Sequence, residues 1–220
     1  TQDWRKLRRL LTFLKQTIHE KRVIGADNLL ELFTWIDASY ATHPDARSHT
    51  EGAMSMGWGI LHYLCGKQKL NTKSSTESEV VGVSDYVPFN IWIRLYLAAQ
   101  GYPLEKNVIY QDNQSAIRME RNGRNSCTGN SRHIHIRYTF TKDRVNKGEF
   151  DIEYCPTEQM LADYFTKPLQ GTQFRKLRRL ILGMDAMSTL ELGVPSDHIP
   201  KECVGTSLRS MQSLESHQSR

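Results

Sequence analysis

Apolar residues near the start of the chain recur at steps of three and four: Trp4, Leu7, Leu11, Leu14 and Ile18, with Leu10 alongside. That spacing predicts an amphipathic helix over residues 4–18, with Asp3 as its N-cap and Gly25 marking the break behind it. Residues 30–36 are mostly apolar and read as a strand. The polar run over 39–51 holds Pro44, Asp45 and Ser48 and reads as a turn or hairpin loop. Two short strands follow over 52–59 and 60–69, punctuated by glycines. Ser74, Ser75 and Thr76 ahead of Glu77 make a helix start, since hydroxyls cap and acids suit the first turn. The helical pattern continues to about Gln100, with Val80, Val83, Val87, Ile91, Leu95 and Ala98 on one face. Pro88 lies inside it and is expected to kink or divide it.

The second half alternates. Residues 107–110 form a short apolar run suited to a buried strand, with Gln111, Asp112 and Asn113 at its C-terminal end and a helix over 114–120. The stretch 122–131 is rich in Gly, Asn and Ser and reads as a loop, and 134–145 is helical. Lys147 and Gly148 turn the chain into an alternating strand over 150–154, which Pro156 ends. A helix is expected over 158–165, closed by Pro168, and Phe174, Leu177 and Ile181 mark a last amphipathic helix. A three-strand meander followed by alternating helices and strands predicts an α/β fold: a mixed five-stranded sheet, three antiparallel strands then parallel ones, with helices packed on it. The expected organisation is a helical extension over 1–25, a main domain over 30–170, an amphipathic helix over 171–183, and a Ser-rich, largely disordered tail over 184–220.

The 220 residues can bury a sizeable core. No stretch approaches 18 consecutive apolar residues, so no membrane-spanning helix is expected, and the N-terminus lacks a signal-peptide core. It also lacks an initiator Met, which suggests a piece of something longer. Cys65, Cys127, Cys155 and Cys203 are scattered without a C-x-x-C pair, which excludes a Cys-rich zinc module and fits a reducing compartment. The net charge of +5 is uneven: residues 1–22 carry seven Lys/Arg against two acids, and 171–184 carry four Lys/Arg and no acid. Between them, residues 31–170 are near neutral, with 15 basic and 16 acidic side chains. The basic blocks are either the solvated faces of two helices or phosphate contacts.

Four acids sit where chemistry can be built. Asp37 follows the apolar run over 32–36, Asp112 follows that over 108–110, Glu79 lies in the first turns of the long helix, and Asp163 falls in the helix after the strand over 150–154. If the strands bearing Asp37 and Asp112 are adjacent and parallel, both carboxylates project at one edge of the sheet, and the two helices can bring Glu79 and Asp163 to it. Such a cluster cannot ionise without compensation, and hard divalent cations with oxygen ligands are the natural compensation. A metal pair about 4 Å apart suits phosphodiester cleavage. The alternative is that each acid is a cap or a surface charge.

Several motifs, in order, resemble the ribonuclease H domain of copia-type retrotransposon polyproteins. They are Phe33-Thr34-Trp35-Ile36-Asp37-Ala38, Ser74-Ser75-Thr76-Glu77-Ser78-Glu79 and Tyr110-Gln111-Asp112-Asn113-Gln114-Ser115-Ala116-Ile117. Arg132-His133-Ile134-His135-Ile136-Arg137-Tyr138, Tyr154-Cys155-Pro156-Thr157 and Leu161-Ala162-Asp163-Tyr164-Phe165-Thr166-Lys167-Pro168-Leu169 continue the match, which covers roughly 1–183. The resemblance implies a ribonuclease H-like fold that cuts the RNA strand of RNA–DNA hybrids with two magnesium ions, manganese being able to substitute, and no small-molecule cofactor. It implies Asp37, Glu79, Asp112 and Asp163 as catalytic metal ligands, with Glu79 preferred to Glu77. Asp37 would bridge both ions, Asp163 would complete the site on the water side, and Glu79 and Asp112 that on the leaving-oxygen side. The first helix looks like the end of a reverse transcriptase region, which becomes the expected partner. No Tyr-x-Asp-Asp occurs here, so polymerisation is not expected of this stretch. Cytoplasmic virus-like particles, with the nucleus as a further compartment, are the implied location.

Three departures stand out. His135 occupies a position where the family has Asp, and Glu51 one where it usually has a small residue before Gly52. The segment 155–161 has no histidine, which leaves His133 and His135 as the nearest in sequence. Candidate substrate contacts are Ser74, Ser75 and Thr76 at a helix N-terminus, Asn113 toward a minor groove, Arg47 and Arg132 toward phosphates, and His133 as a substrate-facing residue, with a proton shuttle as the lesser reading for His133 or His135. Capping or simple solvation are the alternatives for each. Against hydrolysis stand a non-catalytic, nucleic-acid-binding remnant of a decayed element and a purely structural docking role.

Overall fold

The structure, a computed structural model, describes residues 1–123 and 132–190, the side chains of 132–135 excepted. Helix α1 (Gln2–Thr17) and the two-residue β1 (Gly25–Ala26) precede β2 (Glu31–Ser39), β3 (His49–Ser55), the short β4 (Gly57–Trp58) and β5 (His62–Lys67). Helix α2 (Ser75–Ala99) crosses to β6 (Lys106–Gln111), and α3 (Gln114–Asn122) and α4 (Arg132–Asn146) lead to β7 (Asp151–Tyr154). Helices α5 (Asp163–Thr166) and α6 (Gly171–Ile181) follow. The main sheet has the order β5-β3-β2-β6-β7. β2 pairs antiparallel with β3 and β3 with β5, whereas β6 runs parallel to both β2 and β7. This is the mixed five-stranded sheet expected of a ribonuclease H-like fold. Strand order reverses between β2 and β6, and at such a switch point a crevice opens at the carboxyl ends of parallel strands.

Both faces of the central strands are covered, so β2 and β6 are buried without alternation. Trp35, Val108 and Tyr110 pack on one side against Leu161, Ala162, Leu177 and Leu180 from the α5–α6 region. Leu32, Ile36, Ile109 and Ile152 pack on the other against Val83, Tyr86 and Val87 of α2. The amides of Asn90 and Asn107 bond reciprocally at 2.9 and 2.7 Å, with Thr34 accepting from Asn90 at 3.0 Å, which satisfies these two buried amides where α2 meets the sheet. Gly52 lets the helix settle: a Cβ there would stand 2.3 Å from the Tyr86 ring. Gly52→Ala should cost about 1–3 kcal/mol, the usual range for overpacking, read as a lowered urea midpoint with unchanged slope.

Several expectations need correction. Asp3 is not the N-cap but lies in the first turn; α1 starts two residues earlier than expected, at Gln2, behind Thr1. Asp37 does not follow its strand but lies in it, because β3 supplies ladder partners through Ser39, with Asp37 opposite Glu51 and Ser39 opposite His49. β3 therefore begins inside the stretch expected to be loop. Pro88 neither ends nor divides α2, since Val83, Tyr86, Val87 and Asn90 anchor the helix on both sides of it. The single helix expected over 158–165 is a 3-10 turn, Thr157–Gln159, followed by α5. Met160, Leu161 and Ala162 are all fully buried, and three consecutive buried positions cannot share one face of a surface helix. The expected tail also begins too early: Ala186 bridges to Trp58, and Met187 and Leu190 join the core. The rest of that tail lies outside the described residues.

The N-terminal segment is tied to the domain. Val23 donates to Leu182 O at 2.8 Å, Glu20 pairs with Arg178, and Phe13 meets Phe174 edge-on at 6.2 Å. Trp4, Leu7, Leu10, Leu11 and Leu14 are exposed along α1, as is its C-cap Ile18. Among the described residues no helix is long and apolar enough to cross a membrane.

Candidate active site

β2 and β6 deliver Asp37 and Asp112 to neighbouring places because their parallel register, Trp35 beside Tyr110, carries on to the strand ends. Glu79 arrives from the second turn of α2. The Ser74 hydroxyl accepts from Glu77 N–H at 3.2 Å, and the Glu77 carboxylate accepts from Lys73 N–H at 2.7 Å. Glu77 is thus spent on the helix start, while Glu79, two residues on, turns inward and accepts from Ala38 N–H. Carboxylate oxygens of Asp37, Glu79 and Asp112 all lie within 4.8 Å of one another. Asp163, the first residue of α5, joins them beside Asp37.

The burial is severe for charged groups: Asp37 is 4% exposed, Glu79 5%, Asp163 3% and Glu51 1%. Burial and the charges of Asp37 and Asp112 push the Glu79 carboxyl well above the ordinary range. Burial and Asp37 raise Asp112, against a hydrogen bond from Thr157 Oγ1 at 3.2 Å. Asp163 is pushed up to about 7, by burial first; the Lys167 hydrogen bond opposes this and Asp37 adds to it. Glu51 is pushed up to about 8 by burial, Asp37 and Asp163. These carboxylates repel one another in a dry pocket and are short of positive charge. Lys167 supplies one charge, 2.7 Å from Asp163 Oδ1 and 3.8 Å from Asp37 Oδ2. One oxygen of Glu79 is buried without a hydrogen-bond partner. An all-oxygen donor set with an orphaned carboxylate oxygen fits a hard divalent cation.

No family model matches the chain. It is 30% identical over 180 residues to the retrovirus-related Pol polyprotein of transposon RE2 from Arabidopsis thaliana, which covers 81% of this chain and 12% of that protein. It is 25% identical over 182 residues to the corresponding polyprotein of transposon TNT 1-94 from Nicotiana tabacum, covering 82% of this chain and 13% of that one. The chain is a homologue of copia-type retrotransposon Pol polyproteins. It spans only about an eighth of the length of these relatives. Among solved structures, LC11-RNase H1 isolated from compost is similar at a TM-score of 0.45 and 8% identity, covering 62% of this chain and 92% of that one.

Sequence reasoning missed Glu51, Lys167, Thr157 and Glu120 as parts of this region. Lys167 lies four residues after Asp163, the spacing of a helical ion pair, and that signal was available. Glu120 is fully buried with both carboxyl oxygens unpartnered, its carboxyl held well up by burial, and its charge acts on Glu79. Its i,i+4 spacing from buried Ala116 placed it on the inner face of α3. Glu51 could not be found from its own segment, which reads as a polar turn.

The candidate substrate contacts are more dispersed. Ser74 serves as the α2 cap, and Ser75 and Thr76 follow it in the first turn, with Ser75 exposed. Arg47 lies in the loop between β2 and β3, with Asp45 at 3.4 Å. Asn113 is the N-cap of α3, its Oδ1 accepting from Ser115 and Ala116 N–H at 3.0 and 3.1 Å. The side chains of Arg132, His133 and His135 lie outside the described residues. Asn113→Ala should cost about 1 kcal/mol of stability, the usual worth of a cap, whereas Asn113→Asp should cost little; chemical denaturation reads both.

Proposed function

We propose that this chain hydrolyses the RNA strand of RNA–DNA hybrids with divalent metal ions, as part of a retrotransposon Pol polyprotein. The observation that carries the reading is the convergence of Asp37, Glu79 and Asp112 oxygens within 4.8 Å, with Asp163 alongside, at the carboxyl ends of two parallel strands. Asp37, Glu79, Asp112 and Asp163 would hold two magnesium ions. Such ions supply charge stabilisation to phosphoryl oxygens and make water more acidic.

The chain's own residues do the rest. Asp37, from the central strand β2, sits at the centre of the cluster. Thr157 orients Asp112 from the turn after β7. Asp163, the first residue of α5, closes the cluster beside Asp37 and would serve as an ionised ligand once a cation relieves the repulsion that raises it. Lys167 holds Asp163 in place and adds positive charge where the phosphate backbone would lie. Recognition by 2′-hydroxyls and duplex shape, rather than by base sequence, suits such a substrate.

The test uses a hybrid labelled on each strand. Cleavage of the RNA strand alone, dependent on magnesium and stopped by a chelator, is the expected result. Hybrid binding with no cleavage in magnesium or manganese would replace this reading with that of a binding remnant.

A further inference from the structure

Beyond the carboxylate cluster, we propose a second metal site, for a borderline-soft divalent cation of the zinc class, made by His49 Nε2, Glu51 Oε1 and Cys65 Sγ. The register of the sheet creates it. Glu51 lies directly opposite Cys65 on β5, and His49 is two residues before Glu51 on β3, so all three share one face. His49 Nε2 stands 3.4 Å from Glu51 Oε1 and 3.4 Å from Cys65 Sγ, and the three donor atoms lie within 4.8 Å of one another. A tetrahedral zinc centre with bonds of about 2.0–2.3 Å has ligand-to-ligand edges of roughly 3.3–3.7 Å, so the separations from His49 already match.

The surroundings support ligation. Nδ1 of His49 is 2.8 Å from Nε2 of His43. With Nε2 given to a metal, Nδ1 keeps the proton and donates to His43, the orienting contact that metal-binding histidines usually make. His43 is itself fixed by backbone bonds, its N–H to Arg47 O at 3.1 Å and Ala46 N–H to its own carbonyl at 2.8 Å. The same loop holds Ala41 and Ala46 at φ 52° and 57°, left-handed positions that alanine keeps only where the surroundings impose them. Glu51 is almost fully buried, and its Oε2 has no hydrogen-bond partner, so a cation offers the compensation it lacks. Cys65 is an exposed free thiol, so its sulfur is available to a metal from solution.

The donor set separates this site from its neighbour. Nitrogen, sulfur and oxygen together favour zinc over magnesium, whereas the all-oxygen cluster around Asp37 favours the harder ion. Because Glu51 sits opposite Asp37 in the β2–β3 ladder, the two sites are adjacent but draw on different ligands.

The experiment titrates the whole chain with cobalt(II), a spectroscopic substitute for zinc, in saturating magnesium. A thiolate-to-cobalt charge-transfer band should appear at one equivalent and be displaced by zinc. Cys65→Ser should remove the band. His49→Gln should weaken cobalt binding by more than the ~10–100-fold that outer contacts of a metal command. Circular dichroism confirms that both variants are folded, and Cys65→Ser changes one exposed atom. Absence of the band in the wild-type chain, or its persistence in Cys65→Ser, would overturn the proposal. Neither readout depends on hybrid cleavage, so this site and the nuclease reading stand or fall separately.

Discussion

Asp37→Asn is expected to lower metal-dependent hybrid cleavage by at least a thousand-fold, about 4 kcal/mol of transition-state stabilisation, while making the metal-free protein more stable. Both effects have one cause. Burial raises Glu51, Glu79, Asp112 and Asp163, and the charge of Asp37 adds to the rise in all four. An amide of the same shape removes that repulsion, worth about 1 kcal/mol or more and so about 2–4 °C in Tm for a domain of this size. It also removes the central ligand of the cluster, and a site built to concentrate negative charge loses function as it gains stability. Asp112→Asn should cost somewhat less, several hundred-fold or about 3–4 kcal/mol, because Asp112 is more exposed and flanks the cluster. Glu77→Gln should stay within a few-fold of wild type, since its carboxylate serves the helix start. Near wild-type cleavage by Asp37→Asn would dispose of the metal-site reading. Equal loss of hybrid binding and cleavage would point to a damaged fold.

What the sequence made legible follows the physics of each segment. Apolar runs ending in Asp37 and Asp112 announced two buried strands with acids at their ends, because a strand covered on both faces must be apolar along its length. The 3.6 period after Ser74 announced α2 and therefore the position of Glu79. Legibility failed where long-range pairing set the conformation. The stretch over 39–51 is polar, yet Ser39 and His49 through Glu51 are strand because the ladder between β2 and β3 holds them there. Glu51 was noticed only as an odd residue beside Gly52, since nothing within its own hairpin reveals that Asp37 lies across from it. Residues 158–165 carry a plausible helical spacing, but burial of Met160, Leu161 and Ala162 on the Trp35 face demanded an extended turn. Ser-rich composition beyond Gly183 likewise hid the docking of Met187 and Leu190, two apolar residues closing a core built largely upstream.

The stability of the metal-free protein should fall as pH rises from about 5 to about 8.5, and Glu51→Gln should flatten that fall. The Glu51 carboxyl titrates near 8 when folded, against an ordinary value of 4.5. Between those values the native state keeps a proton that the unfolded chain has released, so unfolding becomes easier as pH rises. The contribution is intact below the ordinary value and gone above the raised one, with a ceiling of about 5 kcal/mol if Glu51 acted alone. Asp163, raised to about 7 by burial and Asp37, adds to the same trend. His49 and His62, both held down by burial, act in the opposite sense, gaining stability as pH rises through the ordinary histidine range. The comparison of wild type with Glu51→Gln, by urea midpoint across this range, isolates the carboxyl. Parallel curves for the two proteins would show that Glu51 is ionised in the native state. Magnesium should restore more stability at the alkaline end than at the acid end, because ionised carboxylates bind it and protonated ones do not. A buried surplus of negative charge that weakens the fold at neutral pH, and is relieved by a cation, is the electrostatic signature of a site kept for a metal rather than for stability.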